Sequence, residues 1–271
     1  MIAPPLTARP AARPPGRPIV MLALGAALLA TSLGAEKPRG YLADGAFDIL
    51  AVLPPAPTKG DARYEADRTI FRQTRAMIGT PRYQLATADA VYKQPALMTD
   101  FSCAAGVALT PEDAPRTKAL VDRALVDTEG QTGVAKHFYK RLRPFQIDKG
   151  EICEPKAGLI DSYDYPSGHT TLGWTWALIL SDLLPDHATA ILARGRAYGD
   201  SRFICGAHNE SAVEGGKLSA GATMAVVRTT AAYQADAAAA RQELTALAAD
   251  PATPKLTGCD LERQLVAQRV L

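Results

Sequence analysis

Three short segments of the chain carry residues whose types and spacing suit phosphate chemistry. They are Lys136 with Arg143-Pro144, then Pro166-Ser167-Gly168-His169, then Ser201-Arg202 with His208. Cleaving a phosphate monoester spreads negative charge over three equatorial oxygens, so catalysis is largely positioning and electrostatic stabilisation. Arg143 and Arg202 each offer a planar fork that grips two oxygens and keeps its proton, and Lys136 adds a point charge. Taken singly, each is an ordinary surface cation; the grouping carries the reading. Ser167 and Gly168 stand where a loop passes into an apolar stretch. The first N–H groups of a helix lack internal partners and bind anions. Gly168 lets backbone approach a ligand closely, and Ser167 is either a hydroxyl donor or a plain helix cap.

Two of the four histidines, His169 and His208, fall at the ends of these segments. A neutral imidazole attacks phosphorus in line, and a protonated one donates to the departing alkoxide; the acid then becomes the base that activates water. Histidine suits both tasks because its reference pKa is about 6.5. His208, just downstream of Arg202, fits the nucleophile, and His169 fits the acid/base. His137 and His187 lie in polar helical surroundings and read as surface residues.

The elements that must position these groups are helical. Ile70, Phe71, Met77 and Ile78 recur at spacings that suit one buried face. Thr110-Pro111-Glu112-Asp113 predicts a helix start, with Thr110 as cap and Leu120, Val121, Ala124 and Leu125 as its apolar stripe. A further helix is expected from Lys136 through Leu142, stopping at Arg143-Pro144. Residues 145–165 read as a loop. His169 then opens an apolar run that suits a buried central helix. Pro185 begins another helix through Tyr198, and an Ala-rich pattern runs from about His208 to Ala249. With no convincing strand alternation and no internal repeat, the expectation is all-α: one compact helical array, with an irregular arm at about 36–61 and a helical core at about 62–249.

Arg9, Arg13 and Arg17 precede an apolar run from Ile19 to Ala30 and a small-residue exit through Ala35. That is the pattern of a secretory signal peptide over 1–35, leaving a mature domain of 36–271. The run is too short to span a bilayer, which takes about 20 residues. Without the leader, 27 basic residues face 28 acidic ones, so the domain has no electrostatic footprint for nucleic acid or an anionic membrane. Export to the periplasm or medium makes two disulfides plausible among Cys103, Cys153, Cys205 and Cys259, with three pairings open. Zinc is not expected, since no two cysteines are close in sequence.

The ordered pattern Lys-x6-Arg-Pro, Pro-Ser-Gly-His, Ser-Arg-x5-His resembles the type 2 phosphatidic acid phosphatase and vanadium haloperoxidase superfamily. Within it the chain is similar to the bacterial class A non-specific acid phosphatases. Leu53-Pro54-Pro55, Asp113-Ala114-Pro115, Tyr165 ahead of the Pro-Ser-Gly-His turn, Gly173-Trp174 and Ser201-Arg202-Phe203-Ile204-Cys205-Gly206 extend the likeness over about residues 45–240. The resemblance implies an all-helical fold, periplasmic hydrolysis of many small phosphate monoesters at acidic pH, no metal or other cofactor, and often a homodimer. It implies Lys136, Arg143 and Arg202 on phosphate, Ser167 and Gly168 lining the pocket, His169 as acid/base and His208 as nucleophile.

One position departs. The family continues His-x3-Asp, whereas this chain has Ala212 four residues after His208. On a helix that position shares a face with the histidine, and a carboxylate there would hold the ring's other N–H. Ser211, Glu214 or a backbone carbonyl is expected to serve instead, and Ala212→Asp is expected to raise turnover. The alternatives are a phosphate-binding homologue with weakened catalysis, a lipid phosphatase, or a vanadate-dependent haloperoxidase built on the same cradle.

Overall fold

A computed structural model of the chain describes residues 39–93 and 95–271; the expected leader at 1–35 lies outside the described residues. Ten α-helices follow one another among these residues. They are α1 (Ala62–Thr74), α2 (Pro81–Ala88), α3 (Ala96–Ala105), α4 (Pro115–Tyr139), α5 (Pro144–Ile147), α6 (Gly168–Leu183), α7 (Ala188–Cys205), α8 (Glu210–Val227), α9 (Ala231–Ala249) and α10 (Cys259–Ala267). No strand occurs among the described residues, so the fold is all-α. None of their helices is long and apolar enough to cross a membrane. Residues 39–61 are irregular apart from one 3-10 turn, Ile49–Ala51, and α10 falls beyond the expected end of the helical core.

The apolar run after His169 is the centre. On α6, Leu172, Trp176, Ala177, Ile179, Leu180 and Leu183 are buried on all sides, as expected of a helix that is apolar all round. It packs on α4, α7 and α8. Glycines permit that closeness: a Cβ at Gly173 would lie 2.2 Å from the Tyr198 ring, and one at Gly216 would lie 2.5 Å from the Ser167 carbonyl oxygen. The start of α6 is therefore pinned against α8.

α4 turns a stripe of buried residues toward that core, running through Thr117, Leu120, Val121, Ala124, Thr128, Thr132 and Ala135. In its second half the stripe becomes polar. The Thr128 hydroxyl meets Thr175 at 3.1 Å, and that of Thr132 meets Thr171 at 2.9 Å and Ser219 at 2.8 Å. One turn beyond Thr132 on the same face is Lys136, which is how this helix delivers a cation to the start of α6.

Several boundaries differ from the sequence expectation, each for a local reason. α4 starts at Pro115 rather than Pro111, because Thr110 accepts from the Asp113 N–H and closes a separate turn. Glu243 of α9 then caps α4 from outside, accepting from the N–H groups of Arg116 and Thr117 at 2.8 and 2.9 Å. α4 ends at Tyr139 and not Leu142, since Lys140 adopts the left-handed conformation at φ 50°. α7 runs past Tyr198 to Cys205, carrying Arg202 on its last turn. The Ala-rich pattern is two helices, broken where Thr230 caps α9 by accepting from the Tyr233 N–H. Cys103 pairs with Cys259 and Cys153 with Cys205, tying α10 to α3 and the 145–165 loop to the end of α7.

Candidate active site

Lys136, Arg143, Gly168, His169, Arg202 and His208 line one cavity of about 230 Å³, with Tyr92, Glu129, Glu154, Leu159 and Leu172 among the other walls. Six of the seven residues expected to do the main chemistry thus converge from α4, the loop after it, the start of α6 and the end of α7. The seventh, Ser167, is fully buried behind the wall. Its hydroxyl accepts from the Thr170 N–H at 3.2 Å and its hydroxyl at 3.0 Å. Its observed role is therefore the helix cap, not the cavity wall.

The end of α7 links Arg202 to His208. Gly206, at φ 88°, turns the chain out of the helix, and the N–H groups of Ala207 and His208 both return to the Arg202 carbonyl at 3.0 and 3.2 Å. Arg202 is 2 % exposed, and its Nε and Nη1 have no hydrogen-bond partner; its Nη2 donates to Glu154. A buried guanidinium with two unused donors on a cavity calls for an anion. Arg143 is more heavily committed: Nε donates to the Ser162 carbonyl at 2.7 Å, Nη2 to its hydroxyl at 3.1 Å, and Nη1 to the Ala207 carbonyl at 2.8 Å. That same Nη1 lies 3.0 Å from His208 Nε2.

The tautomers of both histidines follow from their partners. His208 Nδ1 lies 2.9 Å from the Asp164 carbonyl oxygen and 3.0 Å from Asp164 Oδ1. The carbonyl can only accept, so Nδ1 carries the proton and Nε2, on the cavity, accepts from Arg143 Nη1, which a bound phosphate would draw away. His169 Nε2 donates to the Asp89 carbonyl at 2.6 Å, which leaves Nδ1 to exchange a proton with a ligand. Its ring lies flat on Tyr198, centroids 4.7 Å apart, with Tyr92 edge-on. His137 and His187 are exposed, as expected.

Without an anion, this much positive charge works against itself. Burial, followed by Arg143, Lys136 and Arg202, pushes the His208 pKa well below its ordinary value. Burial and then Arg202 do the same to His169. Lys136 is lowered to about 7 by burial and then by Arg143, and Arg202 adds to the effect. Its ammonium donates to the Tyr163 carbonyl. A bound dianion would reverse each of these electrostatic penalties.

Of the three expected orienters of His208, the backbone carbonyl is found, at Asp164, and Ser211 and Glu214 are corrected. His208 and Asn209 precede α8, which begins at Glu210, so helical i+4 geometry does not govern position 212. The Ser211 hydroxyl donates to Asp67 at 2.5 Å and accepts from Arg141 at 2.6 Å. Glu214 is exposed and pairs with Lys217. Asp164 is the carboxylate at the ring, with its own backbone carbonyl beside it. It was not legible in sequence, because the contact spans 44 residues and belongs to no spacing rule. The one available signal was an acid two residues before Pro166 in a chain that lacks one at 212.

Among the described residues, the one metal-like grouping of His, Cys, Asp and Glu is Cys153, Glu154 and Cys205. Its two sulfurs are joined in a disulfide, so it is no thiolate site. In a larger groove of about 580 Å³ along α7, α8 and the C-terminal tail, Arg196 pairs with Asp200 and Lys217 with Glu214.

Comparison with known proteins agrees with this geometry. Residues 123–236 match the family described as the PAP2 superfamily. An acid phosphatase of Zymomonas mobilis is 39 % identical over 80 % of this chain and 83 % of its own length. Non-specific acid phosphatases of Providencia stuartii and Salmonella typhimurium are 34 % and 35 % identical, over 74 % and 71 % of this chain and 83 % and 78 % of theirs. Three cations and two histidines on one cavity, with likeness over most of the length of such enzymes, place the chain in the PAP2 superfamily, in the family of these acid phosphatases.

Proposed function

We propose that the protein is an exported, broad-specificity acid phosphatase that hydrolyses phosphate monoesters through a phosphohistidine at His208. The observation that carries this reading is the nearly buried Arg202 with two unpartnered donors, on the same cavity as His208 Nε2, Lys136 and Arg143. The phosphoryl group sits among these cations and the first N–H groups of α6. Nε2 attacks phosphorus, the ester P–O bond breaks, and the alkoxide takes a proton from protonated His169 Nδ1. Water then loses a proton to His169 and attacks phosphorus; the N–P bond breaks, releasing phosphate and neutral His208. Charge neutralisation comes from the side chains, so activity is expected to persist in chelator.

Broad specificity is supported by the presence of Tyr92, Leu159 and Leu172 in the cavity lining, which offer contact surface without demanding one particular leaving group. Export is supported by the leader pattern and by all four cysteines being paired. The test is hydrolysis of p-nitrophenyl phosphate by the mature chain with chelator present. Turnover at mildly acidic pH that His208→Ala removes is expected. Loss on chelation, or an active His208→Ala protein, overturns the reading.

A further inference from the structure

Asp164 is more tightly specified than a loop residue needs to be. It is fully buried, immediately ahead of the Tyr165-Pro166 turn into α6. Its N–H donates to the Arg141 carbonyl at 2.9 Å. Its Oδ1 accepts from the Asn209 N–H at 3.1 Å, and its Oδ2 accepts from the Asn209 side-chain amide at 2.8 Å, with Arg141 Nη1 3.5 Å away. Asn209 is the residue at the cap position of α8, yet its side chain makes no cap bond. Asp67, from α1, accepts from the Ser211 N–H there at 2.9 Å. Asparagine is a preferred cap, and here its amide is spent on holding a carboxylate instead. Carboxylates are seldom buried without a task, because losing water is costly.

The task lies 3.0 Å away, at His208 Nδ1. The Asp164 carbonyl oxygen alone could fix the tautomer, but only the carboxylate carries a charge that can answer the one the ring gains. Position 212, where the related pattern has its acid, is filled by buried Ala212 packed with Ala56 and Tyr165.

Building on the phosphohistidine reading, we propose that Asp164 is a positioning residue whose carboxylate orients His208 and supports its ring as the Nε2–P bond forms. The acid beside His208 comes from the loop before α6 and not from α8, with Arg141 and Asn209 as its supports. Ala212→Asp is therefore not expected to raise turnover, contrary to the sequence expectation: Asp164 already fills the place at Nδ1, and an acid at the buried position 212 would carry its own desolvation cost.

Asp164→Asn separates charge from shape, since it keeps the backbone carbonyl and a side-chain acceptor. It is expected to lower kcat about 10²-fold, below the ~10⁴-fold seen when a serine triad loses its orienting acid, with KM changed by no more than about threefold. Thermal melting of the same protein shows that it is folded. Ala212→Asp is expected to leave kcat unchanged or lower it. A folded Asp164→Asn protein with kcat within about twofold of the parent overturns the proposal, as does an Ala212→Asp protein that gains several-fold. If Asp164→Asn does not fold, Ala212→Asp decides alone. His208→Ala is run alongside: if it stays active, the phosphohistidine reading fails, whereas an inactive His208→Ala beside a parent-like Asp164→Asn defeats only the role of Asp164.

Discussion

The two histidines face the same cavity but are held by different kinds of partner. His208 is 3 % exposed, and its Nδ1 meets both a carboxylate and a carbonyl inside a network that continues through Arg141 to Asp67. His169 is only partly buried. Its Nε2 meets one neutral backbone carbonyl, and its ring rests on an aromatic face. A carboxylate stabilises an imidazole that becomes positive, while a carbonyl fixes orientation without favouring the cation so strongly. On the proposed mechanism, these surroundings suit one histidine to carrying phosphorus and the other to taking up and giving back a proton. Sequence pattern names both residues; their partners support the proposed division of roles.

The sharpest way to break this comparison is to vary the leaving group. His169→Asn should lower kcat/KM for an alkyl phosphate by about 10²–10⁴-fold, the usual worth of general acid–base catalysis. The loss should be much smaller for p-nitrophenyl phosphate, whose phenolate departs without a proton. His208→Ala should abolish turnover of both alike. Equal losses in the His169→Asn protein, measured by steady-state kinetics on the two esters, would contradict the assignment of His169 as the acid.

A second test uses pH. In the free site the Lys136 pKa is lowered to about 7, so its cation is present below that pH and lost above it. Phosphate binding needs the cation, so with p-nitrophenyl phosphate, whose leaving group needs no proton from His169, kcat/KM should fall as pH rises through 7, by about tenfold at pH 8. On the acid side the profile should stay high to well below pH 6.5, because the His208 pKa is lowered and the ring remains a free base there. Lys136→Arg, which keeps its charge, should remove most of the alkaline fall. A parent-like alkaline limb in that variant would show that another group sets it.

The smallest expected effect concerns Glu154, which pairs with Arg202 on the cavity wall. The carboxylate competes with phosphate for Nη2. Glu154→Gln should therefore lower KM about threefold and leave kcat unchanged. A raised KM in the kinetics would mean that Glu154 holds Arg202 in place for the substrate instead of competing for it.

How much of this was legible in the sequence depends on the range of the interaction. The central helix, its serine cap and the convergence of Lys136, Arg143, His169, Arg202 and His208 follow from local pattern and from motif order. Boundaries set by distant groups do not. Nothing near Pro115 announces that Glu243 will cap α4, and a Thr-Pro-Glu-Asp run that suits a helix start closes instead as its own turn. The carboxylate at His208 escaped the sequence for the same reason, although a backbone carbonyl was among the expected partners and is found. The i+4 rule holds within a helix, but His208 stands before one, and its carboxylate arrives from a loop 44 residues upstream.

The most direct test of the account is to trap the covalent intermediate. In the His169→Asn protein, which has lost the base that activates water, p-nitrophenyl phosphate should release one burst of nitrophenolate per active site. Rapid quenching and peptide mass spectrometry should then find phosphate on His208 and on no other residue. Continued turnover with neither a burst nor phosphate on His208 would contradict the central claim that this histidine is the nucleophile.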